Sequence, residues 1–558
     1  MSAKKFRLTT RTLMKDVIKH KADTLGDKLY LTFIRDFDKG IDEKYTYKDM
    51  DLLSNRLGNG LMKLGIKKGD GIALMEINSP EFLFTVFATF KLGTYCVMVN
   101  VALRGDGLKF IIDHSDASAI IVHWSLLDAI LKVKSQVPKI KHVIVDTNEA
   151  PADFKLPDGT ISFQDIMQAP DEDIDVEIDR DDIVMLMYTA GTTGLPKATV
   201  FRQNRLVGGN NVQTLVSLSQ MPQLFGRPDD TLYTCLPLFH ANALYLSSLP
   251  CFFTEKPLII AKRFSASRHW DICRKYGITR FNALGAMIPI LMKQPERSND
   301  QDHKVREVFS AACPKEVWAA FEERFGVKIL EFYAATDGGG FILGNWGTED
   351  VPIGSMGSPA PGTIAEIMDD DGFLLDPEKV GELVFLVKEN EMKTRKVNYY
   401  KDDKSSKNLI REGKDGQNWF HTGDLAYKDK DGWLFFVDRK KDSIRRRGEN
   451  IASYSIEKII NLNDKILESA AFGVKSELGE DEVMVAIVLK PGEMMSPTEL
   501  LDFCQDKMAY FMIPRYIDFV EELPKNEVHR ILKRILKERG VTGSTYDREE
   551  EGYIVKRD

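Results

Sequence analysis

Basic excess, paired cysteines, long apolar runs and low-complexity tracts are all missing from this 558-residue chain. Each absence removes a class of function. The formal net charge is -8, from 76 Lys and Arg against 84 Asp and Glu, so no basic face is expected to neutralise a nucleic-acid backbone. A single nucleotide needs only a local positive pocket, and the net charge does not speak against one. The six cysteines (Cys96, Cys235, Cys251, Cys273, Cys313, Cys504) are scattered without a C-x-x-C pair, which argues against a disulfide framework and a zinc site. The N-terminal MSAKKFRLTTRTLMKD lacks the apolar core of a secretory signal. Apolar stretches near 82–90 and 244–253 are interrupted by polar residues or proline and fall short of a membrane span. A cytoplasmic enzyme with no integral membrane segment is the expectation, with peripheral membrane contact left open.

One hydrophobic core does not grow to this length, so two or more domains are expected. Short β-rich runs alternate with amphipathic helices, the pattern of an α/β sheet covered by helices. Residues 71–77 read as a buried strand. Residues 79–90 read as the helix after it, with Ser79 as N-cap and Pro80 at the first helical position. Further strands are expected at 95–99, 119–122 and 142–145, with a helix at 107–114. Near residue 438 the character changes to the basic stretch DRKKDSIRRRG. A cluster of this kind is often a plain solvated surface, but its place before a short C-terminal remainder suits a hinge.

The most informative segment is YTAGTTGLPK, residues 188–197, after the apolar run 183–187. Phosphate oxygens need close backbone approach, hydroxyl donors and a cation, and Gly191, Gly194, Thr189, Thr192, Thr193 and Lys197 offer all three. It is not a Walker loop, because Gly194 is followed by Leu195, Pro196, Lys197 and Ala198 rather than by Lys and Ser or Thr. A generic Gly/Thr stretch would be a surface turn. This string instead resembles the signature Y-T-[SG]-G-T-T-G-x-P-K of the adenylate-forming superfamily: acyl-CoA synthetases, luciferases and peptide-synthetase adenylation domains. Ala190 stands where serine is usual.

Other segments resemble that superfamily in the same order. FYAATDGG, residues 332–339, is similar to its Y-G-x-T-E. The resemblance implies Tyr333 stacked on adenine, Thr336 at the α-phosphate and Asp337 holding Mg²⁺, here one methylene shorter than the usual Glu. The small stretch 310–314, with Ala311, Ala312 and Cys313, is implied to lie along adenine. Thr422-Gly423-Asp424 resembles the ribose-binding T-G-D, and Asp438-Arg439 resembles the pair whose Arg adds a ribose contact. His240, in Pro237-Leu-Phe-His, is implied at the acyl entrance. Leu244, Tyr245, Leu284, Gly285, Gly338 and Gly339 are then expected to line the acyl pocket, although any one of them reads equally well as plain core.

The resemblance implies an α/β fold: a large N-terminal domain of packed α/β sheets with a β-barrel-like part over 1–437, a hinge at 438–443 pivoting on Lys441, and a small mobile α+β lid over 444–558. CoA is implied to enter near Arg445, Arg447 and Gly448. The residues 444–451 look most like the crotonobetaine/carnitine–CoA ligase-like branch. The implied reaction joins a carboxylic acid to CoA through an acyl-adenylate, consuming ATP with Mg²⁺ and releasing AMP and pyrophosphate, and is open to running in reverse. A small to medium aliphatic, alicyclic or aromatic acid is expected. The family's late lid lysine, in P-K-T-x-x-G-K, meets Arg530 here by register, with Lys533 as second choice. Arg keeps the charge but not the point geometry of Lys. That departure leaves two alternatives standing, an enzyme that loads a carrier-protein thiol and an adenylate-binding protein with an impaired lid. A homodimer is compatible with the sequence.

Overall fold

The computed structural model describes residues 12–189, 196–206, 227–284, 287–338, 340–346, 351–389, 398–440, 443–446, 449–475, 481–505, 507–525 and 531–555. The chain forms two compact units. One comprises residues 1–363 with 387–411, and the other residues 364–386 with 412–558. The sequence boundary at 438 therefore lies inside the second unit, whose antiparallel pairing joins Leu434–Arg439 to the strand Asn418–Lys428.

The first unit holds two sheets. A nine-stranded sheet runs in the order Ser358–Pro359, Ile342–Gly344, Lys328–Ala334, Glu307–Ala311, Arg280–Leu284, Leu232–Thr234, Leu258–Ala261, Leu29–Asp36, Ile41–Thr46. Its central strands, from Lys328–Ala334 to Leu29–Asp36, are parallel. A seven-stranded sheet runs Ile161–Ser162, His142–Asp146, Ala117–His123, Gly71–Met75, Tyr95–Met98, Ile183–Thr189, Lys197–Arg202. It is parallel except for the last pair. Parallel strands need crossovers that cover both faces, which is why these strands read as continuous apolar runs.

The helix Pro80–Leu92 is buried along its whole length, in a core shared by side chains of both sheets. Its bounds are written locally. The Ser79 hydroxyl accepts the N–H of Phe82, Pro80 takes the first turn, and Gly93 stops the helix at φ +66°. Phe87 and Tyr30 pack edge-on against Phe252 at 5.0 and 5.1 Å, so aromatic contacts join this helix to the nine-stranded sheet.

The second unit contains an antiparallel sheet with Ala365–Met368, Gly381–Leu386, Asn418–Lys428 and Leu434–Arg439, where the resemblance implied the barrel-like part. Beyond it come a hairpin, Ile444–Arg446 with Glu449–Ile451, and a four-stranded sheet ordered Ile466–Lys475, Asp481–Leu489, Tyr516–Phe519, Tyr546–Asp547. Helices Ser453–Ile460, Pro497–Gln505 and Lys533–Arg539 complete this α+β part. No helix among the described residues is long and apolar enough to cross a membrane.

Candidate active site

Four neighbouring parallel strands end at the same edge of the nine-stranded sheet. Leu232–Thr234 leads towards His240, Arg280–Leu284 ends at Leu284, Glu307–Ala311 runs into Ala312 and Cys313, and Lys328–Ala334 carries Tyr333 towards Thr336 and Asp337. Ligands of open α/β sheets bind beyond the carboxyl ends of the strands. Seven residues singled out in the sequence are thus gathered by topology alone.

The phosphate segment comes from the other sheet. Ile183–Thr189 and Lys197–Arg202 pair antiparallel, with Thr189 opposite Lys197. Thr192, Thr193, Gly191 and Gly194 lie outside the described residues, but the two ends of their segment are pinned by this register. Lys197 donates from Nζ to Oγ of Ser405 at 2.6 Å and lies 3.9 Å from an oxygen of Asp402.

The two sets meet at Tyr399, which sequence reasoning missed. Residues 398–400 add to the outer edge of Lys197–Arg202, through Val200 N–H to Asn398 C=O at 3.1 Å and Tyr400 N–H to Ala198 C=O at 2.8 Å. The Tyr399 ring then lies 5.2 Å from Nζ of Lys197, and its hydroxyl donates to Oδ2 of Asp337 at 2.5 Å. Burial and the Asp337 charge hold the phenol well above its usual pKa, so it stays a donor. A cation and a carboxylate 140 positions apart in sequence are therefore a single ring apart in space.

A second missed residue is Glu331. It is 6% exposed and accepts the backbone N–H of Ala312 and Cys313, the latter at 3.2 Å. Ala312 has φ +65°, a left-handed conformation that costs a non-glycine residue about 1 kcal/mol. The carboxylate holds that strained turn in place. Burial raises the Glu331 pKa to about 7, against the lowering effect of the N–H donors. A protonated carboxyl is a weaker acceptor, so the turn is expected to loosen as pH falls through 7. ATP binding by the wild type is expected to weaken a few-fold between pH 8 and 6, and Glu331→Gln, which cannot ionise, to flatten that dependence; calorimetric titration at several pH values checks it.

His240 is half-buried, and its ring lies tilted against that of Phe239 with centres 4.5 Å apart. Its Nε2 is buried with no hydrogen-bond partner among the described residues. Burial lowers its pKa to about 4, so the ring is neutral at physiological pH. Asn78 sets the approach: it accepts the N–H of Leu238 at 2.8 Å and donates to the carbonyls of Leu236 and Ala261 at 2.9 and 3.0 Å. Because His240 does not titrate between pH 6 and 9, His240→Gln is expected to lower activity without changing the shape of the pH–rate profile over that range.

Of the expected acyl-pocket residues, Leu284 is half-buried and Tyr245 stacks on Phe201 with ring centres 5.0 Å apart. Leu244 is 0% exposed and belongs to the core. A side chain at Gly338 would meet the Ala335 carbonyl at 3.0 Å. Gly285 and Gly339 lie outside the described residues.

In the second unit, Asp424 and Arg439 are register partners, with Nε of Arg439 3.6 Å from Oδ1 of Asp424. Glu382, also unforeseen, braces that turn by accepting the N–H of Gly423 at 3.0 Å and pairing with His421 and Lys440 at 3.2 and 3.1 Å. Burial opposes ionisation of Glu382, yet His421 and Lys440 prevail and hold its pKa down at about 2. Lys533 is engaged internally with Glu457 and Ser453. Lys441, Arg447, Gly448 and Arg530 lie outside the described residues, and of Arg445 only the backbone is described.

The model of the AMP-binding enzyme family matches residues 18–390, and that of the AMP-binding enzyme C-terminal domain matches 455–530. The chain belongs to this family. A crotonobetaine/carnitine–CoA ligase of Salmonella typhi is 30% identical over 520 residues, covering 92% of this chain and 97% of that protein. In structure the chain resembles an anthranilate–CoA ligase holding anthranoyl-AMP (TM-score 0.80, 22% identity, 97% of this chain and 99% of the other). It also resembles the Bacillus subtilis o-succinylbenzoate–CoA synthetase with ATP and magnesium (TM-score 0.76, 22% identity, 93% and 99%). This family member is an AMP-forming carboxylate–CoA ligase. Magnesium takes hard oxygen ligands and keeps most of its waters, so one carboxylate, Asp337, beside a triphosphate suits it. The described residues offer no cluster of three or more metal-ligating side chains.

Proposed function

We propose that this ligase activates a small to medium uncharged carboxylic acid, with Lys197, Thr192, Thr193 and Thr336 meeting the phosphates and Asp337 the metal. The observation that carries the reading is the meeting of Lys197 and Asp337 at one ring, Tyr399. In this reading Tyr333 with Ala311, Ala312 and Cys313 hold adenine, Asp424 and Arg439 the ribose, and His240 the reacting carboxyl group. Arg530 is the lid cation. The substrate carboxylate attacks the α-phosphorus and the bond to pyrophosphate breaks. The CoA sulfur, having lost its proton, then attacks the acyl carbon and the bond to AMP breaks. Bound magnesium supplies charge neutralisation on the phosphates. The protein's part is positioning and preorganised charge, which supply most of the rate enhancement in such displacements.

Relatives are named for crotonobetaine and carnitine, which carry a quaternary ammonium. That group wants an aromatic cage or a nearby acid. Tyr245 has one face covered by Phe201 and its hydroxyl lies 3.6 Å from the Met185 sulfur, which supports an uncharged acyl chain instead. All six cysteines are free and buried, which supports a reducing compartment such as the cytoplasm. The deciding experiment measures pyrophosphate release from butyrate, hexanoate, cyclohexanecarboxylate, benzoate, crotonobetaine and carnitine, with and without CoA. ATP formation from the matching acyl-CoA, AMP and pyrophosphate gives the reverse direction. Release is expected with an uncharged acid and CoA; preference for crotonobetaine or carnitine would overturn the substrate reading.

A further inference from the structure

We propose that Tyr399 is a positioning residue whose hydroxyl fixes the Asp337 carboxylate for the divalent cation that arrives with ATP. The proposal rests on the reading of Asp337 as the metal-bearing acid. Tyr399 is 8% exposed, and a phenol buried to that degree needs a partner for its O–H. It donates to Oδ2 of Asp337 at 2.5 Å, across 62 positions of sequence. A phenylalanine would fill nearly the same volume, so packing does not account for the hydroxyl. Asp337 follows the strand Lys328–Ala334 of the nine-stranded sheet, whereas Tyr399 lies opposite Thr199 on the edge strand of the seven-stranded one. Both residues belong to the first compact unit. A carboxylate carried by one sheet is thus fixed by a group that rides on the other.

The segment that carries Tyr399 is held by its own hydrogen bonds. The Tyr399 N–H donates to the Ser406 hydroxyl oxygen at 2.9 Å, and that hydroxyl donates to the Asp402 carbonyl at 2.6 Å. Asp402 caps the short helix Asp403–Lys407 by accepting the Ser405 N–H at 2.9 Å. The next residue, Tyr400, donates from its hydroxyl to Asp116 at 2.8 Å. With the backbone pinned and the ring buried, the Tyr399 O–H is a fixed donor. An aspartate free to change rotamer gives up that freedom when a metal binds, and a hydrogen-bond partner removes it beforehand. The bond engages one of the two Asp337 oxygens, and a carboxylate has lone pairs left for a cation. The same segment holds the Lys197 ammonium through Ser405 at 2.6 Å. One stretch of chain therefore sets both charges that the nucleotide and its metal meet.

Calorimetric titration of ATP into the full-length protein, once with Mg²⁺ and once with EDTA, tests this without any acyl substrate. Tyr399→Phe is expected to weaken binding of ATP with Mg²⁺ about tenfold, the low end of what losing a partner to a metal ligand costs, and to change binding of metal-free ATP by less than about twofold. Unchanged metal-free binding also shows that the variant folds. With Mn²⁺ in place of Mg²⁺, the electron paramagnetic resonance signal of free Mn²⁺ is expected to report the same loss from the ternary complex. In Asp337→Asn, adding Tyr399→Phe is expected to weaken binding no further, because the hydroxyl acts through that carboxylate. Wild-type affinity in Tyr399→Phe, beside weakened binding in Asp337→Asn, overturns the proposal alone. Equal loss with and without metal overturns it too, since that marks a merely structural role. Wild-type affinity in Asp337→Asn strikes the reading of Asp337 as the metal-bearing acid, and the proposal falls with it.

Discussion

Replacing Lys197 with methionine is expected to lower acid-dependent pyrophosphate release by about 10²–10³-fold, the usual cost of removing one preorganised charge from a site where charge develops. The change is expected to spare the fold. Thr189 and Lys197 face each other through backbone register, which a methionine keeps. The Lys197 ammonium is 3.9 Å from Asp402, a distance at which an ion pair adds little stability. Methionine also preserves the apolar stem against the Tyr399 ring. A melting midpoint within about 2 °C of wild type is therefore expected beside the loss of rate. Thioester formation from a synthetic acyl-adenylate has already passed the step in which pyrophosphate leaves, so it is expected to fall by less than about tenfold. Equal loss in both half-reactions would remove Lys197 from the phosphates.

The legible part of this site is what local chemistry writes. Ser79 and Pro80 each carry a conformational preference that sets where the helix begins, and the helix expected to run to 90 ends at Leu92. The strand 183–187 and its Gly/Thr loop were readable because phosphate binding demands an unusual local composition. The return of the chain as the strand Lys197–Arg202 was not, since Ala198 to Phe201 continue an apolar run that periodicity assigns to no particular partner. Tyr399, Glu331 and Glu382 act through contacts 18 to 62 positions away in the chain. A single Tyr or Glu has no pattern until topology supplies its neighbour. Leu244 shows the converse: nearness in sequence to His240 says nothing about which face of the segment a side chain occupies, and this one is buried in the core. The chain passes between its two units at 363–364, 386–387 and 411–412, and Gly381–Leu386 pairs with Asn418–Lys428 across the intervening segment, a long-range property that composition does not announce.

Lys91→Met is expected to destabilise the protein by about 3–5 kcal/mol, because it strands a buried carboxylate. Nζ of Lys91 donates to Asp51 Oδ1 at 2.5 Å, to the Asp51 carbonyl at 2.8 Å and to Asn55 Oδ1 at 2.7 Å. The two charged side chains are 6% and 4% exposed. Burial lowers the Lys91 pKa and the Asp51 carboxylate opposes that shift, so the ammonium exists here by virtue of its partner. The pair joins the helices Tyr47–Lys63 and Pro80–Leu92. A fall in melting midpoint of about 5–10 °C is expected, read by calorimetry, since a two-unit chain does not give one unfolding free energy in denaturant. Lys91→Met with Asp51→Leu is expected to recover part of the loss, because an apolar pair leaves no orphaned charge. The site is expected to feel the single change. Pro80–Leu92 begins one residue after Ser79, and the neighbouring Asn78 holds the segment before His240 through two hydrogen bonds, to Leu236 and Leu238, and ties it to Ala261 through a third. A looser helix is therefore felt at the segment that leads to His240. An unchanged midpoint in Lys91→Met would mean that water reaches Asp51 and that the pair is not a buried one.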